Sequence, residues 1–237
     1  MNRAIAIATV IGSAALAGTA SASTLTMTFN SLTPRVEGVN YNLGGNTGST
    51  WAGVFNWTGS GTPYKTFCTQ IGETIGFGQT ATYNCVDVTL VPDSPNGGGI
   101  PVGPMGALRA TVLKDLYARH YNDATLSSNV TAGAFQIAVW EITHESLGNA
   151  TTAAQYLAGL NVTTGFAQFS DGSGASTLAQ QWIAGLGIDG FQDFACLIGL
   201  TNESLQDQLL VVPVPIPAAL AGLGLLGVGF LRRRVAK

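Results

Sequence analysis

Ala134-Phe135-Gln136-Ile137-Ala138-Val139-Trp140-Glu141-Ile142-Thr143 is the stretch that decides the fold. Its apolar residues recur at spacings of three and four, with Phe135, Val139 and Ile142 on one stripe, which is helical periodicity. Gln136 and Trp140 lie one turn apart on a neighbouring face. The pattern predicts a helix over about 131–146, with Ser128 or Asn129 as its cap. A further helix is expected upstream from Pro104 to Asn122, where Leu108, Val112 and Leu116 repeat and Pro suits a first turn. A short third helix follows Asn149, Gly and Ser fill 164–175, and 178–186 makes a fourth.

Outward from this helical block the pattern turns to strands. Segments 24–29, 51–58, 66–71 and 85–91 are rich in β-branched and aromatic residues and are separated by Gly, Asn and Pro clusters. Residues 92–103 read as a loop without the Gly-Lys-Ser/Thr ending of a phosphate cradle. After the helices, 191–199 and 205–212 flank the polar turn Thr201-Asn202-Glu203-Ser204, as in a β-hairpin. Strands, helices and strands again define an α+β class: a β-sandwich or barrel with a helical insert. The β part is expected over about 23–91 and 190–211, and the helical part over about 104–186.

Both ends carry sorting signals. Arg3, the apolar stretch 4–16 and the small residues Ala20-Ser21-Ala22 form a signal peptide over 1–22, cleaved after Ala22. At the other end Val212-Pro213-Val214-Pro215-Ile216-Pro217 precedes an apolar, Gly-rich stretch, 218–231, and then Arg232-Arg233-Arg234. An apolar segment capped by arginines stops in a bilayer with its tail on the cytoplasmic side. This order of elements resembles the PEP-CTERM/VPLPA-CTERM sorting tags of bacteria with an outer membrane, closest in Val214-Pro215-Ile216-Pro217-Ala218. The resemblance implies an exosortase-type processing enzyme as a partner. It also implies a transient inner-membrane anchor through the short transmembrane helix, and a final place at the cell surface, outer envelope or extracellular matrix.

Only 10% of the residues are charged and the net charge is −3, which excludes the basic footprint of a nucleic-acid-binding protein. The two histidines, His120 and His144, lie far apart and no Cys-x-x-Cys is present, so no metal site and no cofactor are expected. No Gly-x-Ser-x-Gly elbow supports a hydrolase. His144 is read as a surface or satisfied histidine, and His120 as a helix-terminal one suited to the dipole. Glu141 and Glu145 are read as an ordinary helix face. Tyr41, Trp51 and Trp57 are read as sheet core in preference to a carbohydrate site.

Three cysteines in an exported chain cannot all pair internally. Cys68, Cys85 and Cys196 allow three pairings, each stranding a different thiol. Cys68 stands in the apolar frame Lys-Thr-Phe-Cys-Thr-Gln-Ile, and Gln136 in the helix quoted above. A Cys thiolate that attacks a Gln carboxamide expels ammonia and leaves an internal thioester. A fold achieves this by fixing sulfur against carbonyl carbon and keeping water away. Phe67, Phe135, Ile137 and Trp140 are available to shield the bond.

Phe67-Cys68 together with Gln136-Ile137-Ala138-Val139-Trp140 resembles the thioester domains of bacterial surface adhesins, over roughly residues 24–212. Thr69 departs from that pattern, and Cys85-Val86-Asp87 fits its following positions better, so Cys85 is the rival sulfur. With Cys68 in the thioester, Cys85 and Cys196 remain for a disulfide. The competing arrangement is a Cys68–Cys85 disulfide with Cys196 free. The resemblance implies no turnover enzyme but a protein that attaches covalently, once, to an unknown surface or matrix nucleophile. The alternative is a structural envelope or matrix protein without a thioester, stabilised by a disulfide.

Overall fold

The computed structural model describes residues 23–92, 103–126 and 128–212. The signal peptide, the sorting tag beyond Val212 and its apolar segment 218–231 lie outside them. Among the described residues no helix is long and apolar enough to cross a membrane.

Two long strands, β1 (Thr24–Leu43) and β2 (Asn46–Gly59), form an antiparallel hairpin. β3 (Thr62–Cys68) and β4 (Thr80–Val86) follow, then a 3₁₀ turn at Val88–Leu90. Three helices come next: α1 (Gly106–Leu126), α2 (Asn129–His144) and α3 (Ala153–Gly159). β5 (Ala167–Ser170), α4 (Ala175–Ala184), β6 (Leu197–Thr201) and β7 (Gln208–Val211) complete the described chain. The strand order is β2-β3-β7-β6-β4-β1-β5, and β1 also pairs with β2.

That extra pairing closes the sheet. The first residues of β1, Thr24 to Thr28, pair with β4, while Thr28 onward pairs with β2. Six strands therefore form a ring, β1-β2-β3-β7-β6-β4, and β5 attaches to the far end of β1 through Asn40–Leu43. Register shifts after Phe29, Leu32 and Val36 supply the bends that let one strand serve two neighbours. Closure removes sheet edges that would otherwise template aggregation. Of the two architectures expected from sequence, the strand pairings form the barrel.

α2 packs against this barrel and is buried on all sides from Ala132 to His144. A helix apolar all round belongs inside a protein, and this one has β1, β2, β3, α1 and α4 around it. Its approach to β1 is close: a Cβ on Gly133 would stand 2.6 Å from the Val36 side chain. The cap is Ser128, in a reciprocal pair with Thr131.

The differences from the expected elements have local causes. β1 runs to Leu43, well past residue 29, because the bulges absorb Pro34 and Gly38, which break the strand pattern in the sequence. The strand expected at 85–91 is instead Thr80–Val86, with Asp87 capping the 3₁₀ turn. β5 lies in the Gly/Ser segment read as filler and interrupts the expected helical part.

Candidate functional site

The site begins where β2 leaves β3. The last β2–β3 pair is Phe55 with Thr66, while on its other edge β2 stays paired with β1, Phe55 with Leu32 and Gly53 with Arg35. On the other side β3 keeps its pairing with β7, and Thr69 N–H donates to the Asp207 carbonyl at 2.9 Å. Backbone groups alternate in direction along a strand, so Cys68 N–H and C=O point away from β7, into the gap β2 has vacated. A buried strand cannot leave them unpaired.

The Gln136 carboxamide fills that gap. Cys68 N–H donates to Gln136 Oε1 at 3.1 Å, and Gln136 Nε2 donates to the Cys68 carbonyl at 2.8 Å. Both residues are fully buried. The side chain thus acts as the missing peptide unit of a neighbouring strand. It also brings the carboxamide against the residue that bears the thiol.

Burial pushes the Cys68 thiol up to about 12, opposed by the Trp140 indole and by the Gln70 and Cys68 backbone N–H groups. The sulfur is therefore a neutral thiol at rest. Trp140 Nε1 lies close enough to favour the thiolate, yet it makes no hydrogen bond of ordinary geometry. The Cys68 N–H on Oε1 polarises the carboxamide and is placed for oxyanion charge, as a nucleophile's own backbone N–H is in serine proteases.

Around the pair lies a hydrogen-bonded polar shell. Trp57 Nε1 donates to Thr66 Oγ1 at 2.7 Å, and Thr66 donates to Gln208 Oε1 at 2.8 Å. Gln208 faces Cys68 across β7 and donates through Nε2 to the Gln206 carbonyl. Its amide is thus engaged at both ends with groups other than Cys68. The Thr143 hydroxyl reaches the Thr69 carbonyl at 3.2 Å, tying α2 to the segment after the cysteine.

All four expected shielding residues are buried. Phe67 and Phe135 meet at a tilt with centroids 4.5 Å apart, inside an aromatic cluster that includes Tyr117 and Tyr121. Trp140 stands one turn of α2 beyond Gln136 and carries a buried indole N–H. Ile137 is a core residue.

All three cysteines are free. The expected Cys85–Cys196 disulfide is absent because of register. Cys85 faces Leu200, four residues past Cys196, an offset of roughly 13 Å along a strand, whereas a bridge needs Cα atoms within about 7 Å. A Cys68–Cys85 bridge fails as well. Cys68, Gln208, Leu200 and Cys85 form one row over β3, β7, β6 and β4. In the closed ring β3 and β4 stand on opposite sides, about 12 Å apart. The same separation keeps Cys85, half-buried, away from the carboxamide that clasps Cys68.

Two other expectations are corrected. Glu141 and Glu145 are buried, and they hold loop backbone against α2. Glu141 Oε1 accepts the Asn161 N–H at 2.8 Å, and burial raises this carboxyl to about 8 despite that bond. Glu145 accepts Ser146 N–H and Ala167 N–H at 2.8 and 3.0 Å. Gly165 makes room for it: φ is +98° and a Cβ there would stand 2.4 Å from Glu145 Oε2. His144 is buried, with Nδ1 3.0 Å from the Trp140 carbonyl, and burial pushes it down to about 4, so it is neutral. His120 is not terminal, because α1 continues to Leu126; it stacks on Trp182 at 4.6 Å. Among the described residues no cluster could hold a metal ion.

Sequence reasoning missed the second feature of the site, a cleft of about 360 Å³ between the β1–β2 hairpin and the segment after β3. Its walls include Trp51 and Phe77, 43% and 58% exposed, and Trp140 lies in its lining. Trp57, by contrast, is core. An aromatic whose neighbours are polar in sequence gives no sign of which face it takes.

No protein-family model matches the chain, and no curated protein matches it. Among solved structures, the N-terminal thioester domain of fibronectin-binding protein SfbI from Streptococcus pyogenes is similar over 79% of this chain and 98% of that chain. The TM-score is 0.42 and the identity 13%.

Proposed function

We propose that this chain is an exported, surface-sorted domain that stores an internal thioester between Cys68 Sγ and Gln136 Cδ. It spends that bond once, to acylate a nucleophile on a partner surface or matrix. The observation that carries this reading is the two-point clasp: a carboxamide fixed by hydrogen bonds of 3.1 and 2.8 Å to the backbone of the one fully buried cysteine. Of the two sulfurs considered, the geometry favours Cys68.

In the forming step Sγ attacks Gln136 Cδ. Oε1 takes the negative charge against Cys68 N–H, the thiol proton passes to the amide nitrogen, and the C–N bond breaks to release ammonia. Closed packing holds the reactants together, which substitutes for the reactivity a neutral thiol and an amide lack in water. In the using step an incoming nucleophile adds to Cδ, the C–S bond breaks, and the Cys68 thiol is regenerated. The bond is consumed in one event, so the protein is not a turnover enzyme. Processing by an exosortase-type enzyme at the 212–234 tag is part of the same proposal and places the domain at the cell surface.

The second reading has its own observation: the same clasp satisfies two main-chain groups where β2 departs, which is reason enough for a glutamine there. It makes the chain a structural envelope or matrix protein, held by its barrel and not by a disulfide. Intact mass of the mature domain separates the two. The thioester removes one ammonia, and Cys68→Ala and Gln136→Ala each restore the full mass. An unaltered mass in the parent protein, with no uptake of methylamine, leaves the structural reading.

A further inference from the structure

The cleft above Trp140 has a chemistry of its own. Trp51 and Phe77 stand half-exposed at its rim, Phe77 with one ring face stacked on Phe29, and Ser49, Thr50, Thr74 and Gln206 add hydroxyls and an amide to the lining. None of its described lining residues is ionisable. Arg35 lies over the Trp51 ring at 4.2 Å, but its guanidinium is ion-paired to Glu37, so the rim presents no uncompensated charge.

An ammonium nucleophile entering this cleft would have to shed its charge or its water. A hydroxyl enters without that cost. Flat aromatic faces beside hydroxyl and amide groups complement a pyranose ring, whose C–H face stacks on an arene while its hydroxyls form hydrogen bonds. Trp140 connects the two sites: it lines the cleft and stands one turn of α2 beyond Gln136. A ring docked in the cleft thus meets the α2 residue one turn beyond Gln136.

From this cleft we infer that the partner is a neutral polysaccharide, and that the thioester acylates one of its hydroxyls. The inference rests on the thioester proposed above. In the step, the sugar oxygen adds to Gln136 Cδ, the C–S bond breaks, and the hydroxyl proton goes to the departing sulfur. The products are an ester between the Gln136 acyl group and the sugar, and a free Cys68 thiol.

The test uses the mature domain, cellohexaose as a neutral glycan probe and methylamine as the amine probe, read by intact mass. The expected result is a cellohexaose adduct that hydroxylamine removes, since an ester is cleaved and an amide is not. Trp51→Ala is expected to lower the ratio of cellohexaose to methylamine labelling by about tenfold, the loss of one stacking platform, and Trp51→Tyr is expected to restore most of it. Methylamine uptake with no cellohexaose adduct, an adduct stable to hydroxylamine, or a ratio unmoved by Trp51→Ala would each overturn the glycan assignment and leave the thioester standing. No ammonia loss and no methylamine uptake would remove the thioester itself, and the inference with it.

Discussion

α2 holds foreign backbone at two places, and the two differ in what they hold. Near its middle Gln136 offers both a donor and an acceptor, and so mimics a whole peptide unit against Cys68. About one and a half turns later Glu141, and a turn beyond it the C-cap Glu145, offer only acceptors, and they gather N–H groups from Asn161, Ser146 and Ala167. Both arrangements solve the same problem, satisfying buried main chain where regular pairing stops. Only the first sets a carboxamide against the backbone of a cysteine. The two places on the helix thus differ in the neighbour each one holds, a cysteine for Gln136 and loop backbone for the glutamates.

The largest effect is expected where the clasp is removed. Gln136→Ala orphans a buried N–H and a buried C=O and leaves a cavity, a loss of roughly 3–5 kcal/mol by denaturant unfolding. Gln136→Glu keeps the shape and an acceptor and is expected to lose about half as much, while giving no ammonia loss by mass. If Gln136→Ala costs less than about 1 kcal/mol, the clasp is not what holds β3 to α2.

The carboxylate end predicts a pH effect. Glu141 is raised to about 8 in the fold, so between its unfolded value near 4.5 and pH 8 the folded state binds more protons than the unfolded one. Its stabilising contribution is therefore present below pH 4.5 and is lost as pH rises through 8. His144 is lowered to about 4 and works the other way between 4 and 6.5, gaining stability as pH rises. The two oppose each other up to pH 6.5, and above that Glu141 acts alone. The parent protein is expected to lose about 1–2 kcal/mol between pH 6.5 and 8, and Glu141→Gln to flatten that slope. A slope unchanged in Glu141→Gln would break this side of the comparison.

A smaller effect is expected at Tyr156, whose hydroxyl donates to the Ile142 carbonyl at 2.7 Å beneath the carboxylate end. Tyr156→Phe is expected to cost about 1 kcal/mol in thermal or denaturant unfolding and to leave the ammonia loss intact. The smallest is at the other sulfurs. Cys85→Ser and Cys196→Ser break no disulfide and are expected to shift stability by less than about 1 kcal/mol. Neither should change the mass loss. Loss of the thioester in Cys85→Ser would reverse the choice of sulfur.

The helical block was legible because its apolar residues repeat at fixed spacing, and Ser128 as cap and the terminal hairpin followed from local chemistry. The juxtaposition of Cys68 with Gln136 was legible only as a pairing of residue types; its form, a carboxamide replacing a strand, depends on where β2 turns away. Barrel closure was not legible, because the three bulges in β1 leave no periodic trace. The disulfide expectation failed for a related reason: cysteine counting carries no register, and Cys85 and Cys196 are offset by four residues. The buried glutamates were misread because α2 is buried all round, so position on the helix does not separate solvent from core.

The most direct test is peptide mapping of the mature domain, digested at acidic pH after denaturation with an alkylating agent present. The account predicts one cross-linked pair, the peptide of Cys68 joined to the peptide of Gln136 and lighter by one ammonia, with Cys85 and Cys196 alkylated. Full alkylation of Cys68, with the Gln136 peptide at its unmodified mass, would contradict it.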